Sequence, residues 1–175
     1  MADTQRYKMR QRLISLGEDY DIEDEAGQPA FHVDGQLLHI RETFVITDLQ
    51  GNEVATIRQK LLALRETMNI ERGGEVIATV RKALISPFRD KFLVDVKRGE
   101  DLVATGDFLE HNYHIKRGSD TIAEVSKRWF TIRDTYGITI ESGEDVGLIL
   151  AIAVVIDEIT HDEDERHQGE HRDKD

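Results

Sequence analysis

Arg6, Lys8, Arg10 and Arg12 stand at alternate positions near the start of the chain. In an extended strand successive side chains point to opposite faces, so these four cations share one face, about 6.8 Å apart. A row of this kind suits the phosphate oxygens of anionic lipid head groups, at about 1 kcal/mol per basic residue near such a surface. The competing reading is an outward face whose charges are met by acids on the neighbouring strands. The net charge of −12 favours the second reading. The four residues remain the candidate ligand-binding set.

Other arrangements offer less chemistry. The sequence contains no Gly-x-Ser-x-Gly elbow, phosphate loop, dinucleotide fingerprint or His-Glu-x-x-His motif, so no catalytic residue and no cofactor is expected. His111 and His114 are three apart, and on a strand they face opposite sides, which argues against a shared metal ion. His167 and His171 lie four apart, but in an acidic, weakly hydrophobic stretch where a functional metal site is not expected. Trp129 and Phe130 are adjacent on an expected strand. One ring then faces the core and the other faces out, with barrel packing the main use.

The elements that position these residues emerge from a repeat. An aromatic or large apolar residue, followed two positions later by Ile or Val, recurs at Tyr20/Ile22, Phe44/Ile46, Met68/Ile70, Phe92/Val94, Tyr113/Ile115 and Tyr136/Ile138. The first four starts are 24 residues apart, and the last two intervals are 21 and 23. A glycine among turn formers follows each, and a second apolar run then returns, as in Val54-Ala55-Thr56-Ile57. Each unit reads as a β-hairpin. The stretch from Arg10 to Leu16 matches that from Arg58 to Leu64, two repeats later. It predicts a first strand that returns without an outgoing partner, and the sixth unit is an outgoing strand without its return. One orphan, five hairpins and one orphan give twelve strands.

After Gly143 the pattern changes to Val146-Gly147-Leu148-Ile149-Leu150-Ala151-Ile152-Ala153-Val154-Val155-Ile156, apolar on every face and bracketed by Glu144, Asp145, Asp157 and Glu158. The acids at its start suit a helix dipole, and a helix apolar all round belongs inside something. At about 16 Å it is half the thickness of a bilayer core, so a membrane span is not expected. Twelve antiparallel strands close into a barrel too wide for side chains alone to fill, with room for one helix about 10 Å across. A three-bladed propeller is the rival arrangement, and it gives the apolar helix no home. The fold expected is therefore all-β with one central helix: a closed twelve-stranded antiparallel barrel around a buried apolar C-terminal α-helix.

Composition bounds the rest. The absence of cysteine removes disulfides and thiolate chemistry and suits a reducing cytosol. Met1 to Arg12 has no apolar run of the kind a secretory leader needs. Residues 161–175 hold seven acids and three bases and are expected to be a disordered acidic tail, leaving residues 1–160 as barrel and helix, the helix over about 145–160. The remaining body is still acidic, which disfavours nucleic acid.

The opening Tyr7-Lys8-Met9-Arg10-Gln11-Arg12-Leu13-Ile14-Ser15-Leu16-Gly17-Glu18-Asp19-Tyr20-Asp21-Ile22, the Ser86-Pro87-Phe88 stretch and the apolar C-terminal segment resemble the LURP-one-related proteins. That resemblance covers about residues 6 to 160 and implies a tubby-like fold, a twelve-stranded barrel threaded by a hydrophobic helix, shared with phospholipid scramblases. Tubby proteins bind phosphatidylinositol bisphosphate through basic residues on the barrel wall. That site has no residue-by-residue counterpart here, so none is carried over. The function expected is a non-enzymatic interaction or scaffold module with an unknown protein partner. The alternative is peripheral binding of anionic phospholipid or phosphoinositide head groups. In either case the protein works in the cytosol, free or at a membrane surface.

Overall fold

The apolar alternation resolves into twelve strands in a computed structural model that describes residues 4–10, 19–38, 41–60, 66–83, 91–127 and 135–172. They are β1 (Gln5–Arg10), β2 (Tyr20–Asp24), β3 (Pro29–Leu38), β4 (Arg41–Asp48), β5 (Glu53–Gln59) and β6 (Thr67–Arg72). Then come β7 (Glu75–Lys82), β8 (Lys91–Val96), β9 (Leu102–Asp107), β10 (Asn112–Arg117), β11 (Asp120–Ser126) and β12 (Thr135–Ile140). Each strand pairs antiparallel with its neighbours in sequence, and β1 closes the ring against β12. Closure leaves no edge strand exposed. The five hairpins and two orphan strands fall where the repeat places them.

The inward face of the ring is the repeat itself. Phe44 and Ile46, Met68 and Ile70, Phe92 and Val94, Tyr113 and Ile115, and Tyr136 and Ile138 are at most 3% exposed. Inside them runs α1 (Val146–Arg172), whose residues Ile149 to Ile156 are each at most 1% exposed. Small inward residues on the wall (Ala55, Ala78, Ala104, Ala123) and on the helix (Ala151, Ala153) let the two surfaces approach. Large inward rings fill the remaining space, as close packing requires.

Local chemistry repeats along with the pattern. Asp24 Oδ1 accepts the amides of Ala26 and Gln28, and Asp48 Oδ1 accepts those of Gln50 and Asn52. Both turns then use a glycine at positive φ, Gly27 at 76° and Gly51 at 81°. The aspartate holds the turn by its side chain and the glycine takes a backbone conformation that costs other residues strain. The sequence pattern did not reveal a further feature, a register shift next to the repeat's isoleucine. It falls between Ile22 and Glu23, Ile46 and Thr47, Ile70 and Glu71, and Ile115 and Lys116. Bulges bend a strand and increase its twist, which helps a sheet this wide curl shut.

The helix enters at the end of the barrel carrying the hairpin turns. Asp145 caps it, Oδ1 accepting the Leu148 amide at 3.0 Å while its carbonyl accepts the Ile149 amide. The Arg72 guanidinium grips both Asp145 oxygens at 2.8 and 2.9 Å and donates through Nε to the Val54 carbonyl. Next to it, Arg117 grips Glu144 with two bonds of 2.8 and 2.6 Å. Gly147 sits where the helix passes β5, and a Cβ there would collide with Val54 Cγ1. The helix does not stop near residue 160 as expected from sequence. It continues through residues 161–172, the greater part of the stretch read as a disordered tail. Lengthening a helix already formed needs no new nucleus, and the Glu, Gln and Arg of this stretch are good helix formers.

Two outcomes follow from this packing. Leu150→Asp or Ile152→Asp places an unpartnered carboxylate at the barrel axis and should abolish cooperative folding. A native-like thermal melt of either variant would contradict the buried helix. Burial works to raise the Asp145 carboxyl, but the bonds from Arg72 and from the Leu148 and Gly147 amides outweigh it and hold the group below its ordinary 3.8. A depressed carboxyl contributes stability above the unfolded range and loses it as pH falls through the folded value. The wild-type Tm should therefore drop more steeply than that of Asp145→Asn below about pH 4. Parallel curves would show that the cap contributes nothing.

Candidate functional site at the first seam

The basic row lands on the wall, but not as a continuous patch. β1 ends at Arg10, whose backbone pairs with Thr135, and Arg12 lies outside the described residues. Arg6 and Lys8 point outward, opposite in phase to the fully buried Met9. Each meets a carboxylate across the seam to β2. Arg6 Nη1 donates to Glu25 Oε1 at 3.1 Å, and Lys8 Nζ donates to Glu23 Oε2 at 2.7 Å. The first pair is open to water, its side chains 55% and 69% exposed, whereas the second is only 23% and 26% exposed.

This seam differs from the others. Among the described residues β1 and β2 are paired only through Tyr7 opposite Asp24 and Lys8 opposite Glu23. Every other seam pairs at least four residues on each strand. A cleft of about 470 Å³ opens there, lined by Arg6, Tyr7 and Lys8 on one side and Asp24, Glu25, Ala26 and Gly27 on the other. Volumes of this order hold small ligands. The Tyr7 ring lies 5.7 Å from Phe31, tilted by 58°, and its hydroxyl donates to Gln5 Oε1. Burial first, then the Asp24 charge, push the Tyr7 phenol above its ordinary value, so it stays protonated at neutral pH. The cleft thus brings charges of both signs to one seam, with Tyr7 in the inward phase of β1 shared with Met9 and packed against the core. Among its described residues it offers no nucleophile with an adjacent base.

Glu23 and Glu25 escaped the sequence reading, although both lie in the acidic run Glu23-Asp24-Glu25 on the strand expected to neighbour the basic row. A second polar feature was also missed. His111 lies in the turn before β10, not on the strand, with φ of 47°, a conformation rare for a residue other than glycine. Its Nε2 is 2.5 Å from Asp157 Oδ1, and both side chains are nearly buried where α1 leaves the barrel. The imidazole packs 4.4 Å from the Tyr136 ring. Nearby Tyr113 is fully buried, and burial with the Asp157 charge drives its phenol well above 10.0. His114, on the opposite phase of β10 from inward Tyr113 and Ile115, does not join it. Only an acid just past the apolar run, and a histidine just ahead of an expected strand, could have signalled the pair. Trp129 and Phe130 lie outside the described residues. His167 and His171 lie on the extension of α1.

The His111–Asp157 contact joins residues 46 apart in sequence and fixes where the helix leaves the wall. His111→Ala and Asp157→Ala should each cost about 3 kcal/mol, because each strands a nearly buried partner. A double-mutant cycle in urea should return a coupling of roughly 1–3 kcal/mol. Strictly additive losses would mean the two groups do not support one another.

Comparison with known proteins agrees with this architecture. A family model described as LURP-one-related matches residues 5–157. The uncharacterised protein YxjI of Bacillus subtilis is 30% identical over 158 residues, covering 90% of this chain and 95% of that protein. Protein LURP-one-related 15 of Arabidopsis thaliana is 23% identical over 171 residues, 87% of this chain and 78% of its own. A crystal structure of an Arabidopsis thaliana protein superposes with a TM-score of 0.67 at 18% identity, covering 90% of this chain and 91% of that one. At that identity the likeness concerns the fold alone. A ring of twelve strands closed on an apolar helix, and a family match running from the first strand into that helix, place this chain in the LURP-one-related family.

Proposed function

We propose that the protein is a non-enzymatic interaction module, and that a protein partner docks on its outer wall at the β1–β2 seam. The observation that carries this reading is the filled interior. Ile149 to Ile156 are buried against the inward face of the wall and fill the middle of the lumen among the described residues, which favours recognition on the outside. On that outside the seam offers a concave, mixed-charge surface, the kind that sets register and selects partners. The absence of cysteine suits work in the cytosol.

Binding of anionic head groups by the basic row is the weaker reading, because Glu25 and Glu23 already face Arg6 and Lys8. A phosphoinositide would meet those carboxylates together with the cations. Among the described residues no helix is long and apolar enough to cross a membrane.

Two measurements separate the readings. In flotation with phosphatidylserine or phosphoinositide vesicles at about 0.15 M salt, the screened regime, the protein should stay with the soluble fraction. A partner recovered with the full chain and reconstituted from purified components should lose affinity with Ala26→Arg, which fills the cleft. Flotation that disappears when Arg6, Lys8, Arg10 and Arg12 are all changed to Gln would replace the protein-docking reading with the lipid one.

A further inference from the structure

Three polar side chains in one row across the outer wall, on β10, β11 and β12, lack the direct pairing found elsewhere on that wall. We infer that His114 on β10 and Glu124 on β11 hold a divalent transition-metal ion such as Zn²⁺ between them. The site lies away from the β1–β2 cleft and does not rest on the docking reading.

Register makes the row. His114 stands opposite Glu124, and Glu124 stands opposite Thr139 on β12. All three have the outward phase, because their strand neighbours Tyr113, Ile115, Ala123, Val125, Ile138 and Ile140 are buried in the core. Directly opposed side chains on paired strands have Cβ atoms about 4.5–5.5 Å apart. An imidazole nitrogen and a carboxylate oxygen, each about 2 Å from one ion, span such a gap.

Each member of the row has an unused group. His114 Nδ1 and Thr139 Oγ1 are shielded from water and have no hydrogen-bond partner. Among the described residues Glu124 makes no hydrogen bond or ion pair, with His114 or with any cation. Other register partners on the wall bond directly, as Lys8 does with Glu23 and Thr79 with Asn69. Shielded polar groups without partners are rare and call for a specific cause, an ion among them. One ion accounts for all three groups here. The Nδ1 lone pair and one Glu124 oxygen are its protein ligands, and the Thr139 hydroxyl donates to the second Glu124 oxygen. An outer contact of that kind orients a ligating carboxylate. Water fills the remaining positions. Imidazole paired with carboxylate suits Zn²⁺ better than Mg²⁺ or Ca²⁺, which prefer all-oxygen sites. Lys116, two positions along the same face of β10, opposes a cation, whereas the net charge of −12 favours one.

The test is titration of the full chain with Zn²⁺ at neutral pH, followed by calorimetry and amide-resolved NMR. One equivalent should bind, with saturable shifts centred on His114, Glu124 and Thr139, and Tm should rise with the logarithm of free Zn²⁺. His114→Ala and Glu124→Gln should each weaken binding at least about tenfold, and Thr139→Val by less. The metal-free Tm of all three variants should stay close to wild type, because the positions face outward. Mg²⁺ should leave these resonances where they are. Zn²⁺ binding that survives His114→Ala and Glu124→Gln but disappears with His167→Ala and His171→Ala is an adventitious ion only, on the helix extension, and overturns the inference. An equal response to Mg²⁺, or no saturable shift at the row, overturns it as well.

Discussion

A barrel of twelve strands cannot be stable empty, and a helix apolar on every face cannot be stable in water. Each is the other's solution. The wall supplies about the width that one helix occupies, and α1 supplies the apolar surface that inward Phe, Tyr, Met and Ile side chains need to touch. Everything else in the fold serves that fit. The bulges recurring beside Ile22, Ile46, Ile70 and Ile115 curve the sheet around the rod. Gly147 clears the entrance, and the arginine clasps on Glu144 and Asp145 set the depth to which the helix is drawn in.

The same constraint explains what could be read from the sequence. Period-two alternation and the 24-residue spacing are properties of single strands and turns, so strand number, hairpin order and the inward residues were all visible in order along the chain. The helix was visible because a run with no polar face has few homes. Contacts between residues far apart carried no such signal. Glu23 and Glu25 are two acids among 35 until the register puts Glu23 opposite Lys8 and the turn after β2 brings Glu25 to Arg6. His111 was read as a strand residue because its turn is closed by an unusual backbone angle rather than by a glycine. The helix end differs from expectation for another reason. High charge content predicts disorder, whereas a helix already nucleated inside the barrel extends through charged residues at little cost.

The polar groups of the molecule are sorted by how much water they retain. The His111–Asp157 pair and the Tyr113 phenol lie deep at the helix exit, where a lost partner is expensive and a fixed geometry results. The arginine clasps at the entrance are half-exposed and act as caps. On the β1–β2 seam Arg6–Glu25 is the most open of the groups with an assigned role, whereas Lys8–Glu23 is more shielded than the Arg72–Asp145 clasp. A gradient of this kind separates pairs buried with the helix from pairs that water reaches.

That the shortest described ladder lies beside β1 has a cause in the repeat. Each hairpin strand is tied to its partner by a short turn, and two of those turns are locked by the same aspartate geometry. β1 has no hairpin partner. It is fixed on one side by pairing along its whole length with β12, and on the other, among the described residues, it pairs with β2 through Tyr7 and Lys8. Among the described residues two side-chain ion pairs accompany the short β1–β2 ladder, Lys8–Glu23 largely shielded and Arg6–Glu25 exposed, and the exposed pair is the weak one. A charged, concave line on the wall goes with starting the repeat on a strand that has no hairpin partner.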